Sequence, residues 1–451
     1  MKTSKWILVV RILKWILGIG VGLSALIVTI YVEEDWRGKL DWGNCKRELE
    51  AKGQSVDWND YIPPAVPDDQ NFFKAPKMQE WFVKNDQAST NELNILVANK
   101  EKRATIENKK EAVGFLSWSS QFQPDFDLIQ EALKRPYARM DGDYTEPYAI
   151  PIPNLVNVRA VSEVLAQRAK CFLLLDRPEE ALHDITLLND SRQMFEEAPS
   201  GKPMPLVTVM VNVLVVGVYA GAITNGLQSH GWSEPQLKVL QNQLGQINLF
   251  PFLRDALREN CGFFCHMIEI AAIDKFAQSG VSNALARGWF YQNMVTIARW
   301  HEEAIDSIDL TNDLLIPDKV DSMEAEDAAI KHFTPYKFMA AIMVPNYSKA
   351  FYFTAYNQTF ANEAQIACAL ERYRLAHGEY PETLNALTPQ YMQIIPHDII
   401  GGQPLHYRRT DDGKFQLYSI GWNETDDGGQ PSPRNENGGI DYSKGDWVWP
   451  N

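Results

Sequence analysis

Three places in the chain gather side chains of reactive type. Cys261-Gly-Phe-Phe-Cys265-His266 carries two thiols and an imidazole within six residues. On a helix the two cysteines share a face, whereas His266 points about 100° away from Cys265, so a zinc site there needs ligands from elsewhere. The expectation is therefore two buried, apolar thiols. His301-Glu302-Glu303 begins like a zinc-protease motif, but Ile305 stands where the second histidine is required. Glu179-Glu180 and Asp411-Asp412 are paired acids placed to suit a helix first turn and a hairpin turn. Cys45, Cys171 and Cys368 lie too far apart in sequence to pair by inspection. The chain has no serine in a G-x-S-x-G elbow, no phosphate loop and no dinucleotide fingerprint. No catalytic residue is assigned, and sequence motifs leave enzymatic activity open, leaning against it.

The elements that carry these residues start with an anchor. From Trp15 to Val32 the chain runs eighteen residues without a charge. As a helix that run spans about 27 Å, close to the ~30 Å hydrocarbon core of a bilayer. Lys2, Lys5, Arg11 and Lys14 precede it, and Glu33, Glu34 and Asp35 follow at once. The positive-inside bias puts the N-terminus in the cytoplasm and the bulk of the chain in the periplasm. The run is longer than a signal-peptide core and lacks a small-x-small cleavage site, so an uncleaved anchor is expected. Those four cations give residues 1–32 a charge of +4, which leaves −19 on the other 419 residues of a chain whose net charge is −15. A body that acidic repels a phosphate backbone, which excludes nucleic acid as a partner.

A second uncharged stretch, Pro205–Leu227, passes a hydropathy window but holds Thr208, Asn212, Thr224 and Asn225. It is expected to be a buried helix of the body rather than a second span. Residues 36–150 read as a mixed, mostly helical segment. Asn44–Lys52 is a short helix with Asn44 as its cap, Ile62–Asp69 is a proline-rich connector, and Leu93–Ala112 and Asp125–Arg135 are helical. Trp118 and Phe122, between them, are expected to cap a hydrophobic cluster. Residues 151–335 read as an all-α body, a bundle or irregular solenoid. Leu155, Val158, Val161, Leu165, Ala169 and Phe172 recur at helical steps, and Asp176-Arg-Pro178 restarts the chain. Ser233-Glu-Pro-Gln236 is a capping box, and helical patterns continue over Phe252–Gln278 and Ala284–Asp306.

The tail, residues 336–451, is the most readable part. A helix over Tyr347–Ala376 stops at His377-Gly378, and Pro381 prevents its resumption. Leu405–Arg409 and Lys414–Ile420 alternate as strands around Thr-Asp-Asp-Gly413, and Asp446-Trp-Val-Trp449 supplies a last strand. Ala369-Leu-Glu-Arg-Tyr-Arg-Leu-Ala-His-Gly-Glu-Tyr-Pro381 is followed by Pro396-His-Asp398, Gly402-Gln-Pro-Leu405, Tyr418-Ser-Ile-Gly421 and Asp427-Gly-Gly429. In that order the pieces resemble the globular domain of type II secretion major pseudopilins, over roughly the last 100 residues. The whole arrangement is similar to large bacterial envelope proteins that carry such a tail. The resemblance implies a structural Ca²⁺ in the C-terminal loop, where Asn423, Asp426, Asp427 and Asp441 are the metal-ligand candidates among hard oxygen donors. The chain departs from the family at its start. Gly18 and Gly20 lack the prepilin-peptidase context, and residues 33–335 separate anchor from tail.

The expected fold is thus mainly α with a small α+β C-terminal domain. Its segments are a cytoplasmic stub and transmembrane helix (1–35), the mixed segment (36–150), the helical body (151–335) and the tail (336–451), a long helix packed on a short antiparallel sheet. The expected location is the bacterial inner membrane, single-pass. The expected partners are the lipid bilayer, through residues 15–32, and an envelope protein. The expected role is interaction or scaffolding through a pseudopilin-like docking tail. The competing roles are an envelope hydrolase with a cleft between body and tail, and a component of a type II secretion-like pseudopilus.

Overall fold

The computed structural model describes residues 2–82, 106–152, 154–196, 202–270, 287–330, 334–434 and 438–450. Among them the chain is mainly α-helical, with one two-stranded and one three-stranded antiparallel sheet in its C-terminal third. It folds as two compact units. The first joins Met1–Asp60, Asn260–Glu303 and Met323–Asn346, and the second joins Tyr61–Glu259, Ala304–Ser322 and Tyr347–Asn451. The four consecutive segments 1–35, 36–150, 151–335 and 336–451 are therefore not the packing units. Chain that reads as one helical body is shared between both.

In the first unit the segment expected to be an anchor belongs to one continuous helix, Lys2–Ala51, about 75 Å long at the α-helical rise. Its apolar stretch is bare: the most apolar window has none of its surface buried, and Trp15 is 74 % exposed. Beyond Val32 the same helix turns amphipathic and buries Glu34, Trp42, Cys45 and Leu49. Asn44 is not a cap, because no break precedes it; its side-chain oxygen accepts from Arg47 at 2.6 Å. Gly53 ends the run with φ +73°, a left-handed value that suits glycine.

The helix Arg287–Asp306 follows this packed half in step. Gly288 N–H donates to Asp35 at 2.7 Å and Gln292 to Asp41 at 2.5 Å, while Arg299 pairs with Glu48 and Lys52 with Glu302. The two backbones touch at Gly38 and Gly288. A Cβ at Gly288 would fall inside the van der Waals shell of the Glu34 carbonyl, whereas one at Gly43 would meet nothing. Gly288→Ala is expected to cost about 1–3 kcal/mol through overpacking. Gly43→Ala, gaining helix propensity, should leave stability unchanged or slightly higher. Denaturant midpoints of the two variants check this, and equal shifts would overturn it.

The second unit holds the larger core. Leu155–Leu174 and Pro178–Gln193 form a hairpin, with the Asn154 side chain accepting from Val156 N–H at 3.0 Å and Asp176 turning at φ +59°. Leu206–Gln228 packs against both of these helices and against the tail helix. Val209, Val213, Val216, Tyr219 and Ile223 are buried, which explains a helix apolar on every side. The capping box holds: the Gln236 side chain accepts from Ser233 N–H at 3.0 Å. Trp118 and Phe122 meet edge-to-face at 5.3 Å between the helices Lys109–Ser119 and Gln123–Ala132. Residues 93–105 of the expected Leu93–Ala112 helix lie outside the described residues, as do 271–278 and 284–286 of the two later helices.

The tail helix spans Ser348–His377, and Gly378 at φ +85° caps it by donating to Arg374 O at 2.7 Å. Ile366 and Leu370 are fully buried. The sheet orders His406–Arg409, Phe415–Ser419 and Trp447–Val448, with His406 opposite Tyr418 and Tyr418 opposite Val448. A ribbon of Ile308–Asp309 and Leu314–Leu315 joins this assembly, since Leu315 N–H donates to Ile399 O at 2.9 Å. Asp321 accepts from Tyr352 and from the Trp422 indole at 3.0 and 3.1 Å. The stretch 304–322 thus packs with the tail, an arrangement that no local signal in its sequence announces.

Candidate functional site

The acidic loop hangs between the last two strands. Asn423 and Asp427 are together: the Asn423 amide donates to Asp427 at 3.0 Å. Asp426 turns elsewhere, accepting from Gly428 N–H at 2.9 Å and the Tyr418 hydroxyl at 3.1 Å, with His406 at 3.4 Å. Asp441 takes the Ser443 hydroxyl at 2.6 Å and pairs with Lys444 at 3.1 Å. The residue that organises the loop is Asp446, fully buried, which accepts from Asp427 N–H at 3.2 Å and Gly429 N–H at 2.6 Å. Burial raises its carboxyl, and the nearby Asp427 and Asp426 raise it further. Among the described residues no three carboxylate, imidazole or thiol groups converge as a metal ion requires. The four ligand candidates do not form one cradle here; protein donors meet each of them.

The thiols belong to the core. All five cysteines are free and buried. Cys261 and Cys265 share a helix face in the first unit, as their spacing predicts, and Cys265 hydrogen-bonds Cys261. That bond and burial push the Cys265 thiol well up, and burial pushes Cys45 to about 11 and Cys171 to about 12. A thiol so raised is a poor nucleophile at neutral pH. His301 is fully buried, and its Nδ1 lies 2.8 Å from Ile297 O. Burial lowers it to about 4, so it stays neutral, as a core histidine.

The most perturbed acids are sealed in. Glu363 on the tail helix is raised well above the usual range by burial and by Asp398, and its Oε1 has no hydrogen-bond partner. Asp398 itself accepts from Ile400 N–H, Ile420 N–H and the Ser419 hydroxyl, at 3.0, 3.0 and 2.9 Å. Glu259 is pushed up to about 8 by burial alone. Two cavities of the second unit lie elsewhere. One, of about 190 Å³, is lined by Phe73, Lys74, Phe82, Arg139, Asp141 and Pro151. The other, of about 450 Å³, lies between Asp69–Lys77 and Leu128–Pro136. Neither is lined by Glu363 or Glu259, the acids that burial raises; the acid in the smaller one, Asp141, is instead held below the usual carboxylate range by Lys74.

Two buried ionic networks escape a reading of the sequence. Glu371 accepts from His230, Arg374 and the Tyr380 hydroxyl, each at 2.7–2.8 Å. Arg168 donates to Asp184 at 2.8 Å and lies over the rings of Phe126 and Phe172. Only the Glu371–Arg374 spacing, three residues on a helix, carries a local signal. No protein-family model, curated protein or solved structure matches the chain. What the described side chains build is a bare apolar helix joined to a sealed interior.

Proposed function

We propose that the chain is a membrane-anchored envelope protein that acts by binding other envelope proteins, with its pseudopilin-like tail as the docking module. The observation that carries this reading is the 50-residue helix Lys2–Ala51, bare and apolar in its first half and built into a folded unit in its second. Four cations before the apolar run and three acids directly after it support a cytoplasmic N-terminus and a periplasmic body. The sealing of Glu363 and Glu259, the acids raised by burial, favours interaction over hydrolysis.

In-cell crosslinking read by mass spectrometry tests the role. Specific envelope partners crosslinked to the tail are expected; none, together with a hydrolytic activity of the purified chain, would replace this reading by the enzyme. Protease added to spheroplasts should digest residues 33–451, and their protection would reverse the orientation. An N-terminus left intact by prepilin peptidase separates the protein from a true pseudopilus subunit. For the acidic loop, a structural Ca²⁺ predicts a higher melting temperature with added Ca²⁺ and a lower one with EDTA. No change in either direction removes the ion from the account.

A further inference from the structure

The Arg287 end of the helix Arg287–Asp306 lies at the level where the anchor leaves its apolar stretch. Gly288 is in backbone contact with Glu34, and Gly288 N–H donates to Asp35. Those residues stand two and three positions past Val32, about 3–5 Å further along the helix axis. A bilayer's polar layer extends roughly 5–8 Å beyond its hydrocarbon core on each side. Trp289 reaches further back: its ring centroid is 6.0 Å from that of Tyr31, inside the apolar run itself. Trp36, one turn past Val32, is 67 % exposed on another face of the helix, and Arg287, the neighbour of Gly288 in the chain, is exposed. Tryptophan and tyrosine concentrate at membrane–water boundaries, because the ring is apolar and its N–H or O–H is polar. A guanidinium matches the geometry of a lipid phosphate.

We infer that the Arg287–Trp289 end of this helix is a second membrane contact, distinct from the span. Tyr31 and Trp36 supply the aromatic residues in the headgroup layer, Trp289 packs on Tyr31 with its indole N–H turned into the protein, and Arg287 pairs with lipid phosphate. The first unit then sits directly on the bilayer surface, held by two chain segments that are distant in sequence. This rests on the anchor reading but not on its orientation, since the contact is the same in either leaflet.

The test uses the full chain in vesicles of phosphatidylethanolamine and phosphatidylglycerol. Because the five native thiols are buried, a nitroxide attaches to one introduced cysteine: Leu23→Cys in the span, Arg287→Cys at the contact, or Glu50→Cys some 27 Å up the same helix from Val32. Collision with lipid-soluble oxygen, relative to a water-soluble nickel chelate, should rank 23 above 287 and 287 well above 50. A label at 287 as nickel-accessible as that at 50 overturns the inference. A label at 23 that matches 50 overturns the anchor reading instead. Arg287→Glu should lower the melting temperature in these vesicles and leave it unchanged in neutral maltoside micelles. An equal effect in both, or none in either, removes the phosphate pairing.

Discussion

Glu371→Ala is expected to cost the second unit about 3–5 kcal/mol, the range for breaking a buried ion pair by removing one partner. The Glu371 side chain is only 3 % exposed, and its two oxygens gather Arg374, His230 and the Tyr380 hydroxyl. Without it, Arg374 and Tyr380 lose an acceptor inside the fold. His230 is 51 % exposed and turns to water at little cost. Urea unfolding followed by tryptophan fluorescence measures the loss, and a change below that of an ordinary surface substitution would refute it. Glu371→Gln should cost less, because the amide oxygen still accepts from Tyr380.

The same network sets a pH dependence. Burial works to raise the Glu371 carboxyl, but Arg374, His230 and Tyr380 outweigh it and hold the group below the usual glutamate range. A depressed carboxyl contributes stability that is complete above the unfolded-state pKa, and that contribution is lost as pH falls through the folded one. The wild-type chain should therefore lose stability more steeply than Glu371→Gln as pH drops below about 4.3. Parallel curves for the two proteins would exclude this source of acid sensitivity.

The second large effect is expected at Arg168. Its guanidinium and the Asp184 carboxylate are 7 % and 4 % exposed, and they meet at 2.8 Å across the helical hairpin. Arg168→Ala leaves Asp184 buried with the half-exposed His183 imidazole, at 3.5 Å, beside it. It also removes the cation from the faces of Phe126 and Phe172, at 5.1 and 5.5 Å. A loss of about 3–5 kcal/mol is expected, mostly the cost of an unpaired buried charge. Arg168→Met combined with Asp184→Leu removes both charges and should recover most of that loss, because neither partner is then left as an uncompensated ion. A double variant no more stable than Arg168→Ala would show that packing, not charge, is what the pair supplies.

The contrast between these sites and the helix ends shows where the sequence is informative. Asn154 caps the hairpin's first helix, Gln236 answers Ser233, Gly378 closes the tail helix and Gly413 turns at φ +80° in the strand connection. Each of these satisfies backbone groups within a few residues, so the demand and its answer lie in the same stretch of chain. The long apolar helix is legible for a related reason, since its length and flanking charges are properties of one segment. Asn44 failed as a cap because the helix before it does not stop, and tertiary contact with Arg287–Asp306 supports the continuation.

By itself, then, the sequence determined the apolar helix, the mainly α composition, the helix ends at Ser233 and Gly378 and the α+β arrangement of the tail. The buried state of Leu206–Gln228 was legible too, from the polar residues within its apolar run. Tertiary structure alone decided that residues 304–322 pack with the tail and that 260–303 and 323–346 join the unit of the N-terminal helix. It also chose His230 for Glu371 across 141 positions, and Asp446 rather than Asp441 as the residue that organises the acidic loop. The reason is one of range. Periodicity and capping act over a turn of chain, whereas the desolvation of a charge or an apolar face is settled by whichever segment crosses it.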